Sequence, residues 1–187
     1  MRRRRAVRVA QPTGKLPQSS PTSTSQEPLN DGDGKVPLFP FGFGLGYGGG
    51  ATTRDPYAVI QAESFGSQSG IQVETTTDTD GGQNVGFIAP GDWIAYPGLD
   101  FGSPTALRVT TRWASGATTT GTVQYRLDSL TGPVIASVAI SSSAGWQTWR
   151  SATTTLADTV TGVHTVFLTF TGPSGEFVKL NWLQFAR

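Results

Sequence analysis

The chain has no cysteine, one histidine and one methionine among its 187 residues. Without cysteine there is no disulfide framework, no thiolate metal site and no cysteine nucleophile. With His164 as the single imidazole, metal centres built on two histidines are excluded too. Charge is scarce, since Asp, Glu, Lys and Arg make up only 14% of the residues. No stretch approaches the roughly 20 apolar residues of a membrane span. No window carries the apolar repeat of a helix.

The little charge present is segregated. Five arginines fall within the first eight residues, whereas from Asp55 onward ten acidic residues face six basic ones, a net charge of −4. The main body is therefore mildly acidic, which argues against a nucleic-acid footprint. Met1-Arg2-Arg3-Arg4-Arg5 has the basic character of an export signal, but Ala6 to Ser20 is polar and broken by proline. The apolar stretch of about 7–15 residues that such a signal needs does not follow. Residues 1–25 read as a disordered basic and polar tail. In 26–47 an apolar, aromatic run from Val36 to Tyr47 is interrupted by Pro and Gly, and residues 48–55, with Gly48-Gly49-Gly50, form a linker.

Glycine, serine and threonine are abundant, 24 residues being glycine. From Tyr57 short β-type runs alternate with turn signals. Strands are expected near 57–63, 71–75, 84–88, 92–97, 105–113, 121–128, 133–139, 147–155, 162–170 and 177–185. Asp80-Gly81-Gly82, Pro90-Gly91, Ser115-Gly116, Thr161-Gly162 and Gly172-Pro173-Ser174-Gly175 are among the turns between them. This spacing predicts an all-β fold, a sandwich or barrel.

The pentapeptide Gly145-Trp146-Gln147-Thr148-Trp149 places two indoles three residues apart, directly after the loop-forming Ser141-Ser142-Ser143-Ala144. In a regular strand positions i and i+3 lie on opposite faces. One ring is then buried and the other faces water or a groove, where a flat apolar ligand suits it. The competing reading closes both rings into the core.

Catalytic constellations are thin. His164 lies between Val163 and Thr165 in an expected strand and reads as structural. Gly42-Phe43-Gly44-Leu45-Gly46 lacks the strand, the helix and the Lys-Ser/Thr of a phosphate loop. Asp78-Thr79-Asp80-Gly81-Gly82 fails as an EF-hand because the sixth position is Gln83 and the twelfth Ala89. Glu63, Glu74 and Asp92 stand on separate runs, and sequence alone does not pair them as glycoside hydrolysis requires.

Several motifs occur in one order: Gln61-Ala62-Glu63, Ser69-Gly70-Ile71-Gln72-Val73-Glu74, Gly82-Gln83-Asn84-Val85-Gly86-Phe87-Ile88, Gly91-Asp92-Trp93-Ile94-Ala95-Tyr96, Gly145-Trp146-Gln147-Thr148-Trp149 and Leu180-Asn181-Trp182. Over residues 56–187 this resembles a family-six carbohydrate-binding module. The resemblance implies a β-sandwich of jelly-roll type that binds polysaccharide and carries a structural calcium. It implies that Phe87 and Trp146 sandwich a sugar ring, with Glu74 at the rim. Phe87 stands where the family usually has tyrosine, which keeps the stacking and removes a hydroxyl. Lys179 stands where the family often has an asparagine ligand; lysine donates hydrogen bonds but accepts none. Two consequences stay open, a preference for acidic sugars or weaker binding. Trp93 resembles the aromatic of a second site on the concave sheet. Core packing is expected for Trp113, Trp149 and Trp182. Gln61, Glu63 and Asn181 match the calcium positions, Asn181 replacing an aspartate found in some relatives.

Gln26 to Lys35 with Pro37 to Tyr47 resembles the C-terminal end of a family-three glycoside hydrolase, whose catalytic residues would lie upstream of this stretch. The resemblances imply a non-catalytic, monomeric, extracellular module that binds β-glucan or xylan and targets an attached hydrolase, without nucleic-acid or membrane partners. The competing classes are a fragment of an active β-glucosidase-like enzyme and a structural or protein-interaction sandwich.

Overall fold

The computed structural model describes residues 52–79, 81–103 and 106–187. The expectations for the basic tail, for segment 26–47 and for most of the linker lie outside the described residues.

Eleven strands and no helix are present among the described residues: β1 (Ile60–Gln61), β2 (Ser67–Ser69), β3 (Gln72–Thr75), β4 (Gln83–Ile88), β5 (Trp93–Asp100), β6 (Ala106–Ser115), β7 (Gly121–Leu127), β8 (Val134–Ile140), β9 (Gly145–Val160), β10 (Val163–Thr171) and β11 (Val178–Ala186). They form two sheets. One runs β3-β4-β11-β6-β9, with β1 also paired to β11; the other runs β2-β5-β10-β7-β8. The strand-to-strand pairings are antiparallel. This is the all-β sandwich expected from the turn spacing. Arg54 joins it ahead of the first strand, bridging to Leu99 and donating its N–H to Gly98 O at 2.7 Å.

Period-two alternation explains how the sheets face each other. On β7, Val123 and Tyr125 are buried while Gln124 and Arg126 are half-buried; on β10, Val166, Leu168 and Phe170 are buried while Phe167 and Thr169 are half-buried. Phe101 and Phe185 meet edge to face at 4.9 Å in the centre. The two buried phenols are satisfied. Tyr125 shares a 2.6 Å hydrogen bond with Thr111 Oγ1 of the other sheet, and Tyr96 donates to Ala62 O at 2.7 Å. Burial pushes both phenol pKa values up.

Two expectations need correction. β2 was not expected: its Ser-Gln-Ser is exposed throughout, so no apolar alternation marks it, and it forms by pairing with β5. Of the three tryptophans expected in the core, Trp113 is buried but Trp149 and Trp182 are only half-buried. Trp182 faces out beside core residue Leu183. For Trp149 the cause is a break in strand register, described next.

Candidate functional site

Three register breaks fall close together on the six-stranded sheet. Between the β4–β11 pairs Val85↔Leu180 and Ile88↔Val178, the two residues Gly86 and Phe87 oppose Lys179 alone. Between the β6–β9 pairs Ser115↔Gly145 and Trp113↔Arg150, residues 146–149 oppose Ala114 alone. Asn181 is the extra residue between Leu180↔Trp113 and Trp182↔Arg112. Bulges of this kind re-aim side chains. Here they turn out Phe87, which is 39% exposed and sits at φ 59°, and they void the simple parity between Trp146 and Trp149.

Trp146 rests on Gly116, where a Cβ would come within 2.6 Å of the indole nitrogen; only glycine lets the ring lie so close. Lys179 projects outward from between the core residues Val178 and Leu180. Its ammonium stands 5.8 Å from the Trp146 ring centroid, a cation–π contact at the outer reach of that interaction, and pairs with Glu74 Oε1. Asn84, the register partner of Glu74 in the β3–β4 hairpin, donates to the same oxygen at 2.9 Å. Gln147 Nε2 donates to Asn84 Oδ1 at 3.4 Å. In turn Gln147 Oε1 accepts from Thr77 N at 2.9 Å, Thr77 Oγ1 at 3.1 Å and Trp149 Nε1 at 3.2 Å. Glu74, Lys179 and Trp146 are thus brought together, and Phe87 shares the register break that faces Lys179. Sequence reasoning missed Asn84 and Gln147. Counting back from the Asp80-Gly81-Gly82 turn would have paired Asn84 with Glu74; nothing marked Gln147, whose place depends on the β9 bulge.

A second polar cluster shares this outer face. Asp78 is buried and binds Arg112 through two bonds, Nε to Oδ2 at 2.8 Å and Nη2 to Oδ1 at 2.6 Å. Asn181 Nδ2 donates to Asp78 Oδ2 at 2.7 Å and Thr79 N to Oδ1 at 3.0 Å. The Arg112 bond, ahead of the Asn181 and Thr79 bonds, lowers the Asp78 pKa from 3.8 to about 2.

Trp93 lies on the outer face of the other sheet, in register with Thr169 on β10, which in turn pairs with Gln124 on β7. Its ring meets Phe167 at 6.0 Å in a tilted arrangement. A cleft of about 500 Å³ is lined by Trp93, Gln124, Arg126, Leu130 and Thr169. Arg126 is fastened to Gly132 O and Gln124 Oε1, each at 2.9 Å. His164, on the same sheet, joins Asp128 Oδ2 at 2.8 Å and Thr161 O at 2.9 Å, as a structural residue would.

Among the described residues no three His, Cys, Asp or Glu are grouped to hold a metal. Two of the three expected calcium positions lie on paired strands, and Glu63 follows in the turn after β1: Gln61 pairs with Trp182, and Ala62 N donates to Asn181 O at 2.8 Å. Glu63 Oε2 and Asn181 Oδ1 are buried without a hydrogen-bond partner. Two orphaned hard oxygens on adjacent segments are of the donor type that suits calcium. Gln61 is exposed, and its carbonyl accepts from Ser64 N at 3.0 Å.

Comparison with known proteins agrees with this fold. Residues 61–187 match the family model for carbohydrate binding module (family 6). An arabinoxylan arabinofuranohydrolase from Paenibacillus polymyxa is 41% identical over 138 residues, covering 72% of this chain and 21% of that enzyme. The chain therefore spans about a fifth of that relative's length. A family 6 module from Clostridium cellulolyticum, solved in complex with xylose, matches with TM-score 0.66 and 40% identity over 72% of this chain and 100% of that one. A β-1,3-glucan binding family 6 module from Bacillus halodurans matches with TM-score 0.68 and 34% identity, covering 72% and 99%.

Proposed function

This chain belongs to carbohydrate binding module family 6, and from that premise we propose that it holds xylan- or β-glucan-type polysaccharide on the surface around Trp146. The domain is a non-catalytic binding module. The observation that carries the site assignment is the indole seated on Gly116 with the Glu74–Lys179 pair beside it.

A pyranose ring presents axial C–H bonds on its flat faces, and these pack on an aromatic face. Trp146 supplies one such face, and Phe87, turned out by its bulge, is assigned the other. Rim groups then choose among hydroxyl orientations, because a buried hydroxyl left unmatched costs about 1–3 kcal/mol. Glu74 and Lys179 are assigned that task. A disaccharide-sized contact of this kind corresponds to roughly millimolar to ten-micromolar affinity. Retention on a polymer gains from repeated binding sites along it.

Three finer assignments accompany this reading. Trp93 and its cleft form a second sugar surface on the other sheet. A structural calcium is held by Glu63 and Asn181 with Gln61 beside them; it would satisfy the two orphaned oxygens and tie the first strand to the last. The module is part of an extracellular glycoside hydrolase, a reading supported by the enzymes among its relatives and by the family-three-like segment at 26–47.

Affinity electrophoresis of the full chain through gels containing soluble xylan or β-1,3-glucan tests the proposal. Retardation is expected, and Trp146→Ala should lose it. Retardation that survives Trp146→Ala and disappears in Trp93→Ala moves the main site to the other sheet. No retardation by any polysaccharide ends the reading.

A further inference from the structure

We propose that Lys179 sets the specificity of this surface: fixed to Glu74, it forms a charge-neutral donor–acceptor pair that reads neighbouring hydroxyls of an uncharged sugar and disfavours a uronate. This rests on the sugar-binding assignment of Trp146 made above.

An unpaired lysine over an indole would attract a carboxylate. Lys179 is not unpaired. Its side chain is 12% exposed and that of Glu74 is 24% exposed, and the two charges meet at Glu74 Oε1. The groups fastened to the pair, Asn84 and through it Gln147, are neutral amides. The Lys179–Glu74 pair itself carries no net charge, and the sequence from Asp55 onward carries −4.

The spare hydrogen-bonding capacity points the same way. An ammonium has three donors, of which one serves Glu74 and two remain. Glu74 Oε1 accepts from both Lys179 and Asn84, whereas Oε2 has no partner among the described residues. One acceptor and spare donors thus sit together beside the indole. Adjacent hydroxyls of a neutral pyranose, one donating and one accepting, complement that arrangement. The carboxylate of a uronate brings no proton for Oε2, sets like charges face to face, and must compete with Glu74 for the ammonium.

The chain of bonds from Thr77 through Gln147 and Asn84 to Glu74 holds the lysine head in place. Lys179 in the place of an asparagine is therefore a substitution of one donor for another, with Glu74 supplying the acceptor that the amide would have carried.

The test is isothermal titration of the full chain with a neutral xylo-oligosaccharide and with the same oligosaccharide bearing one glucuronic acid, comparing the parent, Glu74→Gln, Lys179→Met and Lys179→Asn. Thermal melts confirm that each variant is folded. The parent should bind the neutral sugar at least about tenfold more tightly, a difference of about 1.4 kcal/mol. Glu74→Gln should free the ammonium, so that the preference shrinks or reverses and uronate binding weakens with salt. Lys179→Met should lose neutral binding by about tenfold, and Lys179→Asn should keep it within a few-fold. Equal or tighter binding of the uronate by the parent overturns the proposal, as does an unchanged preference in Glu74→Gln while neutral binding and its loss in Trp146→Ala both hold. A parent that binds neither sugar overturns the sugar-site reading and this proposal with it.

Discussion

Two ion pairs share the outer face of the six-stranded sheet, and they are built differently. Asp78 is closed: Oδ1 accepts from Arg112 and Thr79, and Oδ2 from Arg112 and Asn181. Glu74 is open: Oε1 takes two donors and Oε2 takes none among the described residues. A saturated pair has nothing left to offer a ligand, so its effect is confined to holding loop 76–79 against β6 and β11. An open pair beside the half-buried Trp146 indole keeps hydrogen bonds available for something outside the protein. Unfilled valence, more than charge or burial, separates the pair assigned to recognition from the fastening one.

The comparison breaks most visibly at Arg112. Arg112→Met strands a carboxylate whose side chain is 3% exposed, and removing one partner of such a pair costs about 2–4 kcal/mol, discounted for the partial exposure of the arginine. Urea unfolding should show that loss while sugar affinity stays within about twofold. A normal midpoint with lost binding would reverse the roles of the two pairs.

Acid titration sharpens the same point. The Asp78 pKa is depressed in the folded state, from 3.8 to about 2. Its stabilisation is therefore complete above the unfolded value and disappears as pH falls through about 2; the shift corresponds to about 2 kcal/mol. Stability measured from pH 7 down to pH 2 should fall more steeply for the parent than for Asp78→Asn, the two curves converging in acid. Parallel curves would remove Asp78 from its fastening role. Glu74→Gln, by contrast, should change stability at pH 7 by no more than about 1 kcal/mol, because that pair is partly exposed.

Much of the fold was legible because its cues are local. Ten of the eleven strands follow from alternation and turn residues, and β2 escaped because Ser67-Gln68-Ser69 has no apolar face to show. The site was legible only as far as residue types go. Trp146, Glu74 and Lys179 stand together, but the parity argument that separated Trp146 from Trp149 assumed a regular strand. The extra residues opposite Ala114 break that parity. Bulges depend on the partner strand, which no single run of sequence specifies. The Asp78–Arg112 cluster was hidden for the same reason. It joins a loop, β6 and the extra residue of β11, which are far apart in the chain.

The smallest expected effect bears on how the open side is shaped. Phe87 holds φ at 59°, a left-handed conformation that strains any residue with a Cβ and that glycine adopts freely. Phe87→Ala removes the ring and keeps the strain, while Phe87→Gly removes both. In an ordinary strand glycine is the less stable of the two. Here the glycine variant should be the more stable by about 0.5–1 kcal/mol, read as a difference in urea midpoint at equal slope. Both variants should bind sugar equally weakly, since both lack the aromatic face. If alanine proves the more stable, the bulge is not held in the left-handed conformation, and Phe87 is not aimed by backbone geometry. If the two instead keep the parent's affinity, Trp146 binds the sugar from one face only, and the open ion pair provides all of the selectivity.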